Sequence, residues 1–300
     1  EEITYDVAVG VMSGIGAING YEDGTFRPQG DITRAEAAKM LTYAILGPKA
    51  AQSLPVKTSS FTDMTGYGWA VPYVEYLVSR GIINGVGGGK FEPAGKVTGY
   101  QLVKMILCAA GYGKNGEYVG SSWAIQVSID GWNNKVFTGV DADYNEPATR
   151  EEAAALIYNG LTRVNKVVWN KTNETYDLTI AGGETIAKAV YGYDPNATVV
   201  TGMVTGTTVN SRGEVLVSLD GVSTTYVYEP ELAMYGHTVK LHTDGTSKVY
   251  YVEDLSTTYT VNTATVSTAT DLYKLWAMLL HGLMLLRFPS SPITLTPITM

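Results

Sequence analysis

Two arginines stand directly after a threonine in the same local pattern: Thr33-Arg34-Ala35-Glu36 and Thr149-Arg150-Glu151-Glu152. Both stretches fit the S/T-x-x-E/Q capping box. In that box the threonine oxygen takes a backbone N–H and the acidic residue returns to the N-cap N–H. Thr33, Glu36, Thr149 and Glu152 are thereby accounted for as helix caps. The arginines are not, because a cation in the first turn faces the positive end of the helix dipole, at a cost of about a few tenths of a kcal/mol. Thr98-Gly99-Tyr100-Gln101 forms the same box with glycine after the threonine, so the cap itself needs no arginine. A cation beside free helix N–H groups suits an anion. Arg34 and Arg150 are therefore expected to serve an anionic ligand, with a surface ion pair as the competing role.

Other chemistry is weakly signalled. Asp141, Asp143 and Asn145, with Glu152 eleven residues after Asp141, approach the spacing of a calcium loop, but Glu146 replaces the required glycine and Pro147 follows. His237 and His242 lie five apart in a strand-like run and so should face opposite sides, which argues against a metal site. No GxSxG, HExxH, P-loop or CxxC motif occurs, and no catalytic residue, cofactor or metal is expected. The single cysteine, Cys108, forbids an intrachain disulfide and reads as a small buried hydrophobe.

The elements that position the two arginines repeat. Residues 15–41 and 80–106 align without gaps at a shift of 65 residues. Gly16 falls on Gly81, Ile18-Asn19-Gly20 on Ile83-Asn84-Gly85, Phe26 on Phe91, Pro28 on Pro93 and Thr33 on Thr98. A shorter third copy at 137–157 keeps Gly139, Tyr144, Pro147, Thr149 and an alanine-rich run. Upstream of each glycine stands an apolar, helix-like segment. The unit is helix, glycine turn, loop and capped helix, with helices expected to begin at Thr33, Thr98 and Thr149. One such pair cannot bury its own apolar stripe, whereas three packed together can.

INGYEDGTFRPQGDITRAEAAKML resembles the S-layer homology module, whose pattern is a GY-x-DGTF-x-P turn followed by TRAE. The resemblance covers roughly residues 1–165 in three tandem copies: 1–50, 51–113 and 114–165. It implies a mainly α, pseudo-threefold trimer of helix-loop-helix repeats that holds a secondary cell-wall polysaccharide in grooves between prongs. The family's sugar typically carries a pyruvate ketal, whose carboxylate would meet the arginine after the cap. Carried over by position, the implied carbohydrate-binding residues are Arg34, Arg150, Trp69, Trp123, the turn glycines Gly20, Gly85 and Gly139, and Asp23 and Gly24. Copy one has Thr4 in place of the opening tryptophan. Copy two has TGYQ for TRAE and GGKF for DGTF, which removes its anion-binding arginine.

Beyond Asn165 the texture changes. Residues 166–265 alternate in Thr, Val and Tyr, with Asp220-Gly221 and Asp244-Gly245 as hairpin turns, and read as a small all-β domain. The expected fold class is therefore α plus all-β, in separate domains. Asn170, Asn173 and Asn196 lie in N-x-T sequons of the kind that arise by chance in Thr-rich chains. Residues 266–300 contain an apolar stretch, 271–287, that Lys274 and His281 interrupt and that is too short for a membrane span.

With a net charge of −8 and no dense Lys/Arg run, the 300-residue chain is not expected to bind nucleic acid. It opens at EEITYDVAVG with no basic leader region, so any leader is expected to have been removed or never present. The expected role is non-catalytic anchoring of an extracellular, S-layer-type protein to the cell wall, with self-association through the β region as an added partner. The rivals are the anchor of a surface enzyme whose catalytic part is missing or lies in the β region, and a purely structural lattice subunit.

Overall fold

The computed structural model of the chain describes residues 2–256 apart from 22, 57, 229–233 and 235. The stretch 271–287 and the rest of the 266–300 segment lie outside the described residues.

Three helix pairs carry the repeats. They are α1 (Asp6–Gly14) with α2 (Arg34–Leu46), α4 (Val71–Ser79) with α5 (Gly99–Ala110), and α6 (Trp123–Asn133) with α7 (Arg150–Arg163). A short α3 (Pro48–Gln52) follows α2, and a 3-10 turn (Gly68–Ala70) leads into α4. The second helix of each pair starts where the sequence places it. Thr33, Thr98 and Thr149 are the N-caps, and both halves of the capping box form in all three. In the first, Glu36 N–H donates to Thr33 Oγ1 over 3.2 Å, and Thr33 N–H donates to Glu36 Oε2 over 2.8 Å.

The helices pack in a cyclic order. α2, α5 and α7 meet one another, while α4 packs on α2, α6 on α5 and α1 on α7. Each first helix thus leans on the second helix of a neighbouring copy. Small residues let the helices approach: Ala35, Ala37 and Ala38 of α2 and Ala153 and Ala154 of α7 are fully buried, and Leu102 and Ile106 of α5 are buried as well.

The residues just before the caps close a ring. Ile32 N–H donates to the Ala148 carbonyl (3.1 Å), Ala148 N–H to the Val97 carbonyl (2.8 Å), and Val97 N–H to the Ile32 carbonyl (3.3 Å). These three residues are buried, and each occupies the same place in its copy. Buried backbone groups must be paired, and here each copy's donor finds its acceptor only in another copy.

The chain divides into two compact units. The first comprises Glu1–Val200 and Lys240–Glu253, the second Thr201–Val239 and the described part of Asp254–Met300. In the first unit the helical body is joined by the antiparallel pair β1 (Val167–Asn170) and β2 (Thr175–Leu178), and by α8 (Ile186–Tyr191). It also takes in residues from β7 (Val249–Asp254). Gly14 of α1 lies so close to this strand that a Cβ there would sit 1.8 Å from the Tyr250 carbonyl oxygen. Tyr250 donates to the Tyr191 carbonyl and Tyr191 to the Tyr43 carbonyl, each over 2.7 Å.

Strand β3 (Val199–Val209) leads into the second unit, where it pairs with β4 (Val215–Leu219), and β4 pairs with β5 (Thr225–Tyr228). With β6 (Thr238–Thr243) and β7, the strand order is β5-β4-β3-β6-β7. Asp220-Gly221 and Asp244-Gly245 fall in the loops β4–β5 and β6–β7, and both glycines have positive φ. Among the described residues the fold is mixed, with eight α-helices and two antiparallel sheets. None of those helices is long and apolar enough to cross a membrane.

Candidate ligand-binding site at the repeat junctions

The arginines reach out of their own copy into the loop of another. Arg34 Nε donates to the Phe91 carbonyl (2.8 Å) and Nη2 to the Asn84 carbonyl (3.0 Å), and the guanidinium stacks on the Phe91 ring at 4.6 Å. Arg150 Nη2 donates to the Asn19 carbonyl (2.7 Å), with the guanidinium 4.9 Å from the Tyr21 ring and 5.2 Å from that of Phe26. Asn19 and Phe26 stand where Asn84 and Phe91 stand in the other copy. The two arginines therefore make the same joint, once between copies one and two and once between copies three and one. Partial burial lowers the pKa of Arg34, opposed by the charges of Glu92 and Asp63. Arg150 is 8% exposed, and its Nε–H has no hydrogen-bond partner among the described residues.

The first-turn N–H groups that suggested an anion site are occupied. Arg34 N–H donates to the Gly95 carbonyl and Ala35 N–H to that of Pro93. Arg150 N–H goes to Gly30 and Glu151 N–H to Pro28. In copy two, Gly99 N–H goes to Glu146 and Tyr100 N–H to Tyr144. Carbonyls from the adjoining loop satisfy donors that local sequence leaves open. The expectation of free helix N–H groups is thus corrected: any ligand must be met by side chains. Neither arginine has an ion pair among the described residues.

Gly99 has its own reason. A Cβ there would lie 2.9 Å from Tyr144 Cα and from its ring, so the loop of copy three fills the space that the arginine's stem takes elsewhere. Tyr100, Phe137 and Tyr144 form an aromatic cluster at this joint, with Phe137 and Tyr144 rings 4.4 Å apart.

The two tryptophans open α4 and α6 beside a lysine. Trp69 is 46% exposed, with Lys39 Nζ of α2 5.7 Å from its ring, and Lys104 Nζ of α5 lies 5.2 Å from the half-buried Trp123. Lys39 and Lys104 are equivalent under the 65-residue shift, a signal that was present in the repeat and that sequence reasoning missed. A cation over an indole face contributes about 0.5–1 kcal/mol at such sites. Tyr73 packs edge-on to Tyr43 in the same joint, and burial pushes its hydroxyl up to about 12.

The joint of α7 with α1 has Thr4 instead of a tryptophan. Here the buried Glu151 carboxylate accepts from Thr4 N–H (2.7 Å) and Gln29 Nε2 (2.6 Å), capping the start of α1 from another copy. A groove of about 530 Å³ beside it is lined by Glu2, Thr4, Arg27, Pro28, Gln29 and Gly30.

The remaining expected residues shape the loops. Asp23 accepts from Thr25 N–H and Oγ1 and pairs with Arg27 at 2.7 Å. Those Thr25 bonds first, and Arg27 next, hold its carboxyl well below the usual range. Gly24 has φ +79° in open space. Gly20 and Gly85 lie against the carbonyls that close their loops, at 3.0 Å from Thr25 O and 2.6 Å from Lys90 O for an added Cβ, whereas Gly139 is needed for its φ of +72°. At the weighed calcium loop, Glu152 is committed to its capping box and Asp143 accepts from Asn145. Among the described residues no group of three or more His, Cys, Asp or Glu is placed to hold a metal.

Part of this region matches a known family. Two segments of the chain, 9–38 and 60–102, match the S-layer homology domain. The third copy falls outside both segments. Over 92 residues the chain is 34% identical to the S-layer protein sap of Bacillus anthracis, covering 31% of this chain and 11% of that protein. Over 89 residues it is 40% identical to the cellulosome-anchoring protein of Acetivibrio thermocellus, covering 29% of this chain and 19% of that one. It is 32% identical over 104 residues to an uncharacterized cell wall amidase of Bacillus anthracis, covering 35% of this chain and 18% of that protein. The chain thus spans less than a fifth of the length of these relatives. The S-layer homology segments and relatives of this kind place it at the cell wall or cell surface.

Proposed function

We propose that the three copies form one pseudo-threefold wall-binding body, and that it anchors the chain by holding an anionic, pyruvylated secondary cell-wall polysaccharide at the junctions. The reading is carried by Arg150: a buried guanidinium, held by one carbonyl and two aromatic rings, has an Nε donor with no partner among the described residues. That Nε is closed to solvent as it stands, so a carboxylate would reach it as the adjoining loop opens to admit the ligand, and would then make a charge-assisted bond. Arg34 makes the matching joint at the next junction, but its Nε donates to the Phe91 carbonyl, so its remaining guanidinium donors would meet the anion there. Trp69 and Trp123 supply aromatic faces, and Gly20, Gly85, Gly139, Asp23 and Gly24 shape the loops that approach the sugar. The junction at Gly99 has no arginine and serves as packing.

The proposed role is non-catalytic. A second reading keeps the same anchor but attaches it to a surface enzyme, which the amidase-named relative favours, since it shares this stretch. Self-association through the β region, residues 166–265, is a further part of the proposal.

The test is binding of the full chain to purified walls carrying native or de-pyruvylated polymer, each with and without EDTA. Binding should require the ketal and survive chelation. Because the chain is net acidic, binding must come from local contacts, and salt should weaken it only moderately. Equal binding to both polymers, or loss in EDTA alone, would sink the assignment.

A further inference from the structure

We propose that a cleft beyond the junctions is a second anion-binding site, taking a small oxyanion-bearing ligand: a carboxylate or phosphate on a body about the size of one sugar ring. The cleft has a volume of about 340 Å³ and lies within the first unit, where the ends of α2, α4 and α5 meet the segment that follows the repeats. Its floor is apolar, with Ile82, Cys108 and Ile186 buried beneath it. Its rim carries three cations, Arg80, Lys114 and Lys166.

Such a convergence is unexpected in a chain of 29 acidic and 21 basic residues. Lys166 is paired with Glu184 at 3.0 Å. Arg80 and Lys114 have no ion pair among the described residues. Lys114 Nζ instead donates to the Arg80 carbonyl at 3.2 Å, and the Arg80 guanidinium lies 5.4 Å from the Tyr76 ring. The neighbouring Glu117 carboxylate is already taken by Gly113 N–H, Asn115 N–H and the Tyr176 hydroxyl. Two exposed cations with no ion pair among the described residues therefore border one apolar cleft, and an oxyanion bound there would meet both charges.

The plainer role for Lys114 is to cap the end of α4, since Arg80 is the C-cap there and a cation suits a helix C-terminus. That role explains one contact. It does not explain Lys166, which comes from outside the repeats, or the apolar floor. Both halves of the cleft exist only because Lys166 and α8 fold back on the repeat body, so this site belongs to this chain rather than to the repeats.

The experiment is calorimetric titration of the full chain with sodium pyruvate and with inorganic phosphate, at matched ionic strength against sodium chloride. Saturable binding of at least one anion is expected, and the stronger one identifies the group. Arg80→Gln with Lys114→Gln should weaken it tenfold or more. Ala189→Glu, which puts a carboxylate on the exposed cleft wall, should abolish it without touching either cation. Lys171→Gln, which removes an exposed charge outside the cleft, should leave it unchanged. Absence of saturable binding by both anions, or unaltered binding in the double variant or in Ala189→Glu, would overturn the proposal.

Discussion

Removing the Arg34 side chain should lower stability as well as any binding, and the structure sets the size. The substitution Arg34→Ala deletes two donors to carbonyls of another copy, at 2.8 and 3.0 Å, and a stack on Phe91. A hydrogen bond from a charged donor contributes about 1.5–3 kcal/mol when sheltered. The Phe91 carbonyl contact is partly buried and counts near the lower end, while the Asn84 contact is exposed and water replaces much of it. A partly exposed cation–π stack adds about 0.5–1 kcal/mol. The loss should total about 3 kcal/mol, which for a unit of this size lowers Tm by about 6–12 °C. Arg34→Lys keeps the charge but not the fork, and should lose about half as much. Thermal unfolding followed by Trp fluorescence and by far-UV circular dichroism measures both. A Tm for Arg34→Ala within about 1 °C of wild type would show that the arginine does not tie the copies together.

Further outcomes can be stated briefly. Thr33→Ala, Thr98→Ala and Thr149→Ala should each lose about 1 kcal/mol in urea unfolding, because the same capping box forms at all three; a near-zero loss at Thr98 alone would separate copy two from the others. Gly14→Ala should free residues 240–253 from α1, seen as lost hydrogen-exchange protection there, since its Cβ would fall inside the Tyr250 carbonyl; unchanged protection refutes that packing. His242 is 2% exposed, with Nδ1 against Tyr193 OH (2.7 Å) and Nε2 on Glu253 (2.5 Å), beside Lys240 and Tyr251. Burial lowers its pKa despite Glu253, so the folded state binds protons less readily than the unfolded one. The stability this contributes is complete above the unfolded value, about 6.5, and is lost as pH falls below it. Tm should therefore drop between pH 7.5 and 5, and less so in His242→Gln; equal slopes in the two proteins would contradict this.

The three caps, the repeat period and the hairpin glycines were legible in the chain because each is decided within a few residues. A threonine and a Glu or Gln three positions on satisfy each other's backbone wherever the helix goes, and alanine runs follow them into the core. The purpose of Arg34 and Arg150 could not be read the same way. Sequence showed only that the cap did not need them; their partners lie at Asn84, Phe91 and Asn19, in other copies. The same holds for the first-turn N–H groups, which local logic leaves open and the adjoining loops close. The ring of Ile32, Ala148 and Val97 is likewise invisible before folding, since each donor meets an acceptor far away in the chain. So is the placing of residues 166–200 and 240–253 with the helical body, which depends on the bare face of Gly14. Local backbone satisfaction is written in the sequence, whereas the partner of a long side chain or a buried loop carbonyl is chosen by whatever the tertiary fold brings within about 3 Å.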